Sequence, residues 1–309
     1  MSAQKIAPYK LEIPRLELLA KHIVEGSLTG LHRSPFHGYS AEFREHKMYV
    51  AGDPVKFIDW KVLARSGKIY VKKFEEETNL RAQLILDSSS SMYYPPKERF
   101  DLDDLHKLGF AVVSAAVLTE IFRRQRDATG LSVFSNETEV NIPPKTNEAH
   151  RELIYATLER LLTKPGMPKI TAAAESLHLI AESLKKRSLT ILFTDLWIPP
   201  EQTESMLDAL KHLRYKSAEM IVFHINDRKT ELKFEFENRP VRFMDPETND
   251  QISLLPGELK KNYLKKQREY FDRFKELFYG YGIDYVPVDV AQGYEAVLSA
   301  YMQKRKKIK

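Results

Sequence analysis

Short apolar runs alternate with longer helical patterns over most of the chain beyond Arg81, and this alternation restricts the possible folds more than any other sequence feature. Such alternation is typical of buried parallel strands joined by crossover helices. We therefore predict an α/β fold, a doubly wound and mostly parallel sheet flanked by helices on both faces. The predicted strands are Leu84–Asp87, Gly130–Phe134, Leu189–Phe193, Met220–Ile225 and Tyr285–Val290, and the predicted helices include Glu148–Leu162, Ala172–Lys186, Glu201–Leu213, Glu258–Phe278 and Tyr294–Lys304.

A further helix is predicted after the first strand. Apolar residues recur at helical spacing from Leu105 and cover nearly the whole circumference over Phe110–Leu118, which predicts a buried helix. Asp101 and Asp103 lie where acidic side chains favour a helix N-terminus, and Arg123–Arg124 carry the charge that suits a C-terminus.

Residues 229–254 interrupt the alternation. Phe234–Phe236, a turn near Asn238 and Val241–Phe243 predict a β-hairpin within an insertion over about residues 228–256. Its phenylalanines could form a patch for a partner or cover the core face of the hairpin itself, and the sequence leaves both interpretations open.

The first 80 residues differ from the rest of the chain. Pro14 begins an amphipathic helical pattern that should end near Gly26, and an ordered loop should follow over Gly30–Tyr39. We predict an N-terminal segment over residues 1–80 packed on the main domain, a main domain over 81–305 and a basic tail over 306–309.

Composition excludes several classes of protein. The chain has 309 residues, 43% hydrophobic and 29% charged, as expected of a soluble globular protein. It has no cysteine, which excludes disulfides, thiol nucleophiles, iron–sulfur clusters and thiolate zinc sites. The longest nearly uncharged apolar stretch, Leu108–Thr119, is shorter than the roughly 20 residues that span a bilayer. With no pattern of a signal peptide, we expect a cytoplasmic protein without a transmembrane segment.

The net charge of +5 reflects the end of the chain, because Lys304–Lys309 carry five positive charges and the remainder is neutral. A tail of this kind is usually a solvated terminus, and a neutral body does not favour binding to nucleic acid. We expect no nucleic-acid partner.

Oxygen-bearing side chains lie in three loops, two of them directly after predicted strands and one before a predicted helix. Doubly wound sheets bind ligands in loops at the carboxyl ends of their strands. The side chains are Asp87, Ser89 and Ser91 after the first strand, Thr171 before a helix, and Asp195 after Leu189–Phe193. Alternate residues of an extended segment point the same way, so Asp87, Ser89 and Ser91 should converge. Carboxylates and hydroxyls without His or Cys suit Mg²⁺ or Mn²⁺. The alternative is a serine-rich turn whose hydroxyls cap the next helix.

At these residues the sequence resembles the von Willebrand factor A-type fold and its metal-ion-dependent adhesion site. The D-x-S-x-S motif of that family falls on Asp87, Ser89 and Ser91, its threonine on Thr171 and its last aspartate on Asp195. Pro168–Ile170 stand where glycines usually precede the threonine. Two carboxylates would leave the ion weakly neutralised, so that it could accept an acidic side chain from a partner protein.

Almost the whole chain resembles the bacterial domain-of-unknown-function fifty-eight family. The resemblance rests on an ordered series of motifs before the first strand: Gly30-Leu31-His32, Glu42-Phe43-Arg44, Gly52-Asp53, Ile58-Asp59-Trp60 and Ala64-Arg65. Genes of this family commonly lie beside those of MoxR-type AAA+ ATPases. The resemblance therefore implies a partner or adaptor of such an ATPase or of its client.

We expect a non-catalytic, divalent-metal-dependent protein-interaction module. The alternative is a metal-dependent phosphoester hydrolase that uses the same ion as a Lewis acid, with Asp53, Asp59 or His32 as its base. Asp59 could instead pair with Arg65 in a purely structural role. The spacings of His32, His37 and His46 match no common zinc pattern; the sequence also lacks a G-x-x-x-x-G-K-[ST] phosphate loop and a G-x-S-x-G nucleophile elbow.

Overall fold

The computed structural model describes residues 15–30, 43–50, 58–74, 80–135, 137–163, 173–185, 188–244, 251–297 and 299–301. The chain divides into two compact units, Phe36–Asn79 and a larger unit that comprises Met1–Pro35 together with Leu80–Lys309. Several residues singled out from the sequence lie outside the described residues, namely Thr171, His32, His37, Asp53 and the basic tail.

Seven helices and ten strands are assigned within these described ranges. The helices are α1 (Leu16–Gly30), α2 (Trp60–Ser66), α3 (Lys107–Arg124), α4 (Glu148–Thr163), α5 (Ala173–Ser183), α6 (Thr203–Lys216) and α7 (Pro256–Gly280). The strands are β1 (Phe43–Met48), β2 (Tyr70–Phe74), β3 (Arg81–Asp87), β4 (Ala128–Phe134), β5 (Thr138–Lys145), β6 (Ser188–Thr194), β7 (Ser217–Asn226), β8 (Val241–Met244), β9 (Gln251–Leu254) and β10 (Asp284–Asp289). No helix in the described part of the chain is both long and apolar enough to cross a membrane.

The smaller unit contains an antiparallel pair of strands and one short helix. Strands β1 and β2 pair with each other, and α2 lies between them in sequence. Asp59 begins α2, where its Oδ1 accepts hydrogen bonds from the backbone N–H groups of Lys61 and Val62 at 3.0 and 3.2 Å. Gly67, with a φ of 66°, ends the helix. Asp59 is therefore a helix cap, which is the usual role of an aspartate at this position.

The larger unit is built on a six-stranded sheet with the order β10-β7-β6-β3-β4-β5. Every neighbouring pair is parallel except β4 and β5. The chain runs from β3 towards β4 but from β6 towards β7, so the topological switch point lies between β3 and β6. The predicted doubly wound, mostly parallel sheet is confirmed, and the carboxyl ends of β3 and β6 are where such a sheet binds ligands.

Helices cover both faces of this sheet. Helices α5, α6 and α7 share one core cluster with Ile85, Leu192 and Val222 of the sheet. Helix α3 contacts β3 and β4 as well as α1 and α4, and residues 107–122 of α3 are all buried. The prediction of a buried helix that ends at Arg124 is confirmed. Its predicted start was wrong, because the helix begins at Lys107, and His106 rather than Asp101 or Asp103 occupies the N-cap position.

The insertion contains a hairpin, but not the predicted one. Strand β8 pairs with β9, whereas Phe234–Phe236 form no strand. The ring of Phe234 instead lies against Phe236, Phe243 and Tyr263, with centroid distances of 5.0, 5.8 and 4.5 Å. Phe234 is 8% exposed. The phenylalanines of the insertion therefore pack on one another, and Phe234 packs on Tyr263 of α7.

Prolines lie in both edge strands of the six-stranded sheet. Pro143 and Pro144 are in β5, where the pairing register with β4 shifts, and Pro287 is in β10. Proline lacks the backbone N–H and is found in sheets almost entirely at edges and bulges. The antiparallel strand β5 was not predicted from the sequence, because its two prolines resemble a loop.

Gly130 allows β5 to approach β4 closely. A Cβ at Gly130 would lie 2.6 Å from the carbonyl oxygen of Ile142 and 2.8 Å from the backbone nitrogen of Pro144. We expect Gly130→Ala to lower the free energy of unfolding by about 1–3 kcal/mol, as overpacking usually does, when measured by urea denaturation. Gly26→Ala is the matched control, because a Cβ there meets nothing within 4 Å and should stabilise α1 by about 0.5–1 kcal/mol. Equal stability of the two variants would contradict the prediction.

Candidate functional site

Asp87 is the last residue of β3 and is 7% exposed, at the switch point of the sheet. Its Oδ1 accepts a hydrogen bond from the backbone N–H of Ser89 at 2.9 Å. Its Oδ2 accepts one from the hydroxyl of Thr194, the last residue of β6, at 2.7 Å. Both carboxylate oxygens are thus held in place by the ends of the two central strands.

The hydroxyls of Ser89 and Ser91 lie 3.1 Å apart, on the loop that also fixes Asp87. Ser88 points away from them, and its Oγ bonds to the carbonyl oxygen of Phe134 and to Glu139. Ser89 occupies the N-cap position of a short 3₁₀ turn, Ser90–Tyr93, yet its side chain makes no capping bond. The hydroxyls of Ser89 and Ser91 converge as expected, but Ser91 lies in a 3₁₀ turn and not in the extended segment that was predicted. The hydroxyl of Ser89 is not used as a cap.

Asp195 is fully buried one residue beyond β6. Its Oδ1 accepts a hydrogen bond from the backbone N–H of Trp197 at 3.1 Å, and its Oδ2 lies 2.6 Å from Nζ of Lys107. The same Nζ lies 2.6 Å from Oε1 of Glu231. Lys107 is 0% exposed, so a buried ammonium bridges two carboxylates beside Asp87.

Lys107 and Glu231 were not predicted from the sequence. Both were overlooked because they lie 88 and 124 residues from their partners, Asp195 and Lys107 respectively. A signal was nevertheless present, since Lys107 directly precedes the apolar stretch Leu108–Thr119 of a helix that was predicted to be buried. A lysine in such a position is almost never fully buried unless it is paired.

His224 fixes the backbone at Asp195. Its Nε2 lies 2.9 Å from the carbonyl oxygen of Asp195, and its Nδ1 contacts the hydroxyl of Tyr285. Burial lowers the pKa of His224 to about 4, despite the opposing effect of Asp195. The imidazole is therefore neutral near pH 7, where its Nε2–H donates to the carbonyl group and its Nδ1 accepts from the tyrosine.

The buried charges at this edge of the sheet do not balance. Burial, and then the nearby charge of Asp195, raise the pKa of Asp87 to about 6. Burial alone would lower the pKa of Lys107, but Asp195 and Glu231 raise it above its ordinary value. Burial also raises the pKa of Glu231, against the effect of Lys107. Counted formally, the three carboxyl side chains of Asp87, Asp195 and Glu231 against the ammonium of Lys107 leave a charge of −2.

These residues fit a hydrated Mg²⁺ or Mn²⁺ ion. Asp87, Ser89 and Ser91 offer oxygen ligands. The Oδ1 atom of Asn226, at the end of β7 and the same edge of the sheet, is buried and has no hydrogen-bond partner among the described residues. Within the described ranges, no group of three or more His, Asp or Glu side chains forms a cation site. Such an ion would therefore retain several waters, as Mg²⁺ usually does in proteins. Thr171 lies outside the described residues, and its participation stays a prediction.

The alternative hydrolase needs a general base beside the ion. Of the three candidates from the sequence, Asp59 caps α2, while Asp53 and His32 lie outside the described residues.

His106, next to Lys107, is expected to make the fold sensitive to acid. Its Nδ1 accepts the backbone N–H of Gly109 at 2.8 Å, and burial lowers its pKa from 6.5 to about 3. The folded state therefore binds fewer protons than the unfolded state, so stability is complete above pH 6.5 and falls as the pH decreases. The loss should be about 2 kcal/mol at pH 5.

His106→Asn keeps an N-cap acceptor and removes this titration. Urea denaturation at pH 7.5 and pH 5 should show a stability loss about 2 kcal/mol smaller than that of the wild type. The contribution of His224 remains in both proteins. Identical pH dependence of the two proteins would refute the assignment.

The sequence over residues 45–270 matches a family described as protein of unknown function DUF58. An uncharacterized protein of Mycobacterium tuberculosis is 23% identical over 184 residues, which cover 60% of this chain and 56% of that protein. An uncharacterized protein of Mycobacterium bovis gives the same values. The chain thus matches little more than half the length of these curated relatives.

Two solved structures show remote similarity. The conserved hypothetical protein BatB from Bacteroides thetaiotaomicron is 16% identical, with a TM-score of 0.42 over 74% of this chain and 98% of that chain. A von Willebrand factor type A structure from Catenulispora acidiphila is 15% identical, with a TM-score of 0.32 over 47% of this chain and 33% of that chain. Neither is similar enough to transfer a function, which must come from the geometry of the site.

Proposed function

The chain belongs to a family described as protein of unknown function DUF58, and from the geometry of its site we propose that it is a divalent-metal-dependent protein-interaction module. Asp87, Ser89 and Ser91 would hold Mg²⁺ or Mn²⁺, with Asp195 and Thr171 completing the site. The module would be non-catalytic. Its ion would bind an acidic side chain of a partner protein.

One observation carries this proposal: Asp87 is a buried carboxylate whose hydrogen bonds within the described part of the chain include no cationic partner, and it contacts the loop of Ser89 and Ser91. Burying a charge is costly unless it is paired. The raised pKa of Asp87, about 6, expresses that cost. A bound divalent cation would remove it, and the surrounding oxygens are the ligands that hard cations prefer.

The proposed partner is a MoxR-type AAA+ ATPase or its client, as the common gene neighbourhood of the family implies. An ion held by few carboxylates remains electrophilic towards another anionic oxygen, which a Glu or Asp of the partner would supply. Because an AAA+ ATPase requires cytoplasmic ATP, this partnership would place the site in the cytoplasm.

Calorimetry with Mg²⁺ and Mn²⁺ tests whether the protein binds the proposed ion at Asp87. We expect binding by the wild type and at least roughly tenfold weaker binding by Asp87→Asn, because the variant lacks the charged ligand. Asp208→Asn is the matched control, since Asp208 is an exposed carboxylate of α6 that pairs with Lys211. Equal affinity of wild type and Asp87→Asn would contradict the proposed site.

Capture of the ATPase tests the interaction. The purified MoxR-type ATPase should be retained by the wild type and by Asp208→Asn in Mg²⁺, and released by EDTA. Asp87→Asn should retain little of it in either buffer. Retention that needs neither Mg²⁺ nor Asp87 would show that the interaction uses another surface.

A further inference from the structure

Lys107 holds its positive charge rigidly inside the candidate site. Its backbone N–H donates to the carbonyl oxygen of Tyr94 at 3.0 Å, and its Nζ lies 5.9 Å from the centroid of the Tyr94 ring. The Nζ is also 2.6 Å from both Asp195 and Glu231. With 0% of the side chain exposed, water does not screen this charge effectively.

The ammonium of Lys107 already pairs with the carboxylate of Asp195, which a divalent cation at this site would also need. Oδ2 of Asp195 accepts from Lys107, and Oδ1 accepts from the backbone N–H of Trp197. A divalent ion beside Asp87 would therefore meet an Asp195 whose charge is already largely offset. The ion and the ammonium would also repel each other.

We propose that Lys107 is a tethered internal cation that weakens divalent-ion binding at Asp87, Ser89 and Ser91 and keeps Asp195 as an outer contact of the ion. This inference rests on the proposed function, because it concerns the same ion. Its consequence is an ion bound loosely enough that the carboxylate of a partner contributes much of the affinity. Lys107 is thus a residue that sets the affinity of the site rather than a ligand.

Substituting Glu231, in the same cluster, should change the affinity for the ion in the opposite direction to substituting Lys107. Lys107→Met removes the positive charge and should tighten Mn²⁺ binding roughly tenfold or more, as measured by calorimetry. Glu231→Gln removes a negative charge that partly offsets Lys107, and it should weaken binding by a few-fold. Lys211→Met, which removes an exposed lysine paired with Asp208, should change the affinity less than about twofold.

If Lys107→Met does not fold, a double variant still tests the inference. In Lys107→Met/Glu231→Gln only Asp195 loses its ammonium partner, whereas in Lys107→Met both Asp195 and Glu231 do. The double variant should bind Mn²⁺ more tightly than Glu231→Gln alone. Circular dichroism spectra would confirm that each variant is folded. Affinity of folded Lys107→Met equal to or weaker than that of the wild type would overturn the inference.

The outcomes separate the two proposals. Binding that is lost in Asp87→Asn but unchanged in Lys107→Met would overturn the role of Lys107 and leave the proposed ion site intact. Binding by Lys107→Met but not by the wild type would support the role of Lys107 and contradict a metal-dependent wild type. Absence of binding in every folded variant would overturn both.

Discussion

Replacing Asp87 with Asn is expected to stabilise the cation-free protein by about 1–3 kcal/mol at pH 8, although it removes the central ligand of the candidate site. The buried carboxylate costs stability because its pKa rises from 3.8 in the unfolded chain to about 6 in the folded one. The variant removes this cost while keeping an oxygen that can accept the N–H of Ser89. Urea denaturation in EDTA measures the difference.

The sign of the pH dependence follows from the same shift. Between pH 3.8 and about 6 the folded state binds more protons at Asp87 than the unfolded state does, so this residue makes the wild type less stable as the pH rises. This destabilising contribution of Asp87 to the free energy of unfolding is constant above that range, and it is absent in Asp87→Asn. The variant should therefore gain its advantage mainly as the pH is raised from 4 to 7.

Mg²⁺ should reduce the stability advantage of Asp87→Asn over the wild type by about 1 kcal/mol or more. At 100 times the wild-type dissociation constant, a bound ion stabilises the folded wild type by about 2.7 kcal/mol, whereas Asp87→Asn, with at least roughly tenfold weaker binding, should gain no more than about 1.4 kcal/mol. Asp208→Asn serves as the control that responds like the wild type. If Asp87→Asn were less stable than the wild type in EDTA, the carboxylate would be well accommodated without an ion.

Replacing Lys107 with Met is expected to lower the free energy of unfolding by about 3–5 kcal/mol in EDTA. Methionine fills a similar volume, but Asp195 and Glu231 lose the ammonium that lies 2.6 Å from each of them. Uncompensated buried charge is among the most destabilising changes that a single substitution makes. The expected loss is a large part of the 5–15 kcal/mol that is typical of folded domains.

Two control variants isolate the buried pair. Lys211→Met breaks an exposed pair with Asp208 and should cost less than about 1 kcal/mol. Lys107→Met/Glu231→Gln should recover part of the loss, because one unpaired carboxylate is gone. A loss below about 1 kcal/mol for Lys107→Met would mean that water or a shift of Glu231 satisfies the carboxylates.

The sequence predicted the parts of the fold that depend on local pattern. Apolar runs located the central strands, since residues buried on both faces of a parallel sheet leave a continuous hydrophobic signal. The alternation of Asp87, Ser89 and Ser91 likewise placed three oxygen donors on one loop. Contacts distant in sequence were beyond such patterns, and the pairing of Lys107 with Glu231, 124 residues away, is the main example.

Predictions from local propensity were wrong where one sequence pattern is compatible with two structures. Phe234–Phe236 alternates like a strand, yet its rings pack into an aromatic cluster with Phe243 and Tyr263. Asp101 and Asp103 look like the acidic start of a helix, but His106 supplies the cap because its ring nitrogen meets the N–H of Gly109. Propensity is a weak guide when tertiary packing supplies another partner.

The prolines of β5 and β10 limit how this protein can associate with others. A free sheet edge is a template on which another chain can add a strand, either as a ligand or in aggregation. Here Pro143, Pro144 and the register shift interrupt one edge, and Pro287 interrupts the other. The prolines therefore disfavour extension of the sheet at either edge, and we expect a partner to be recognised by side chains and loops at the carboxyl ends of the strands.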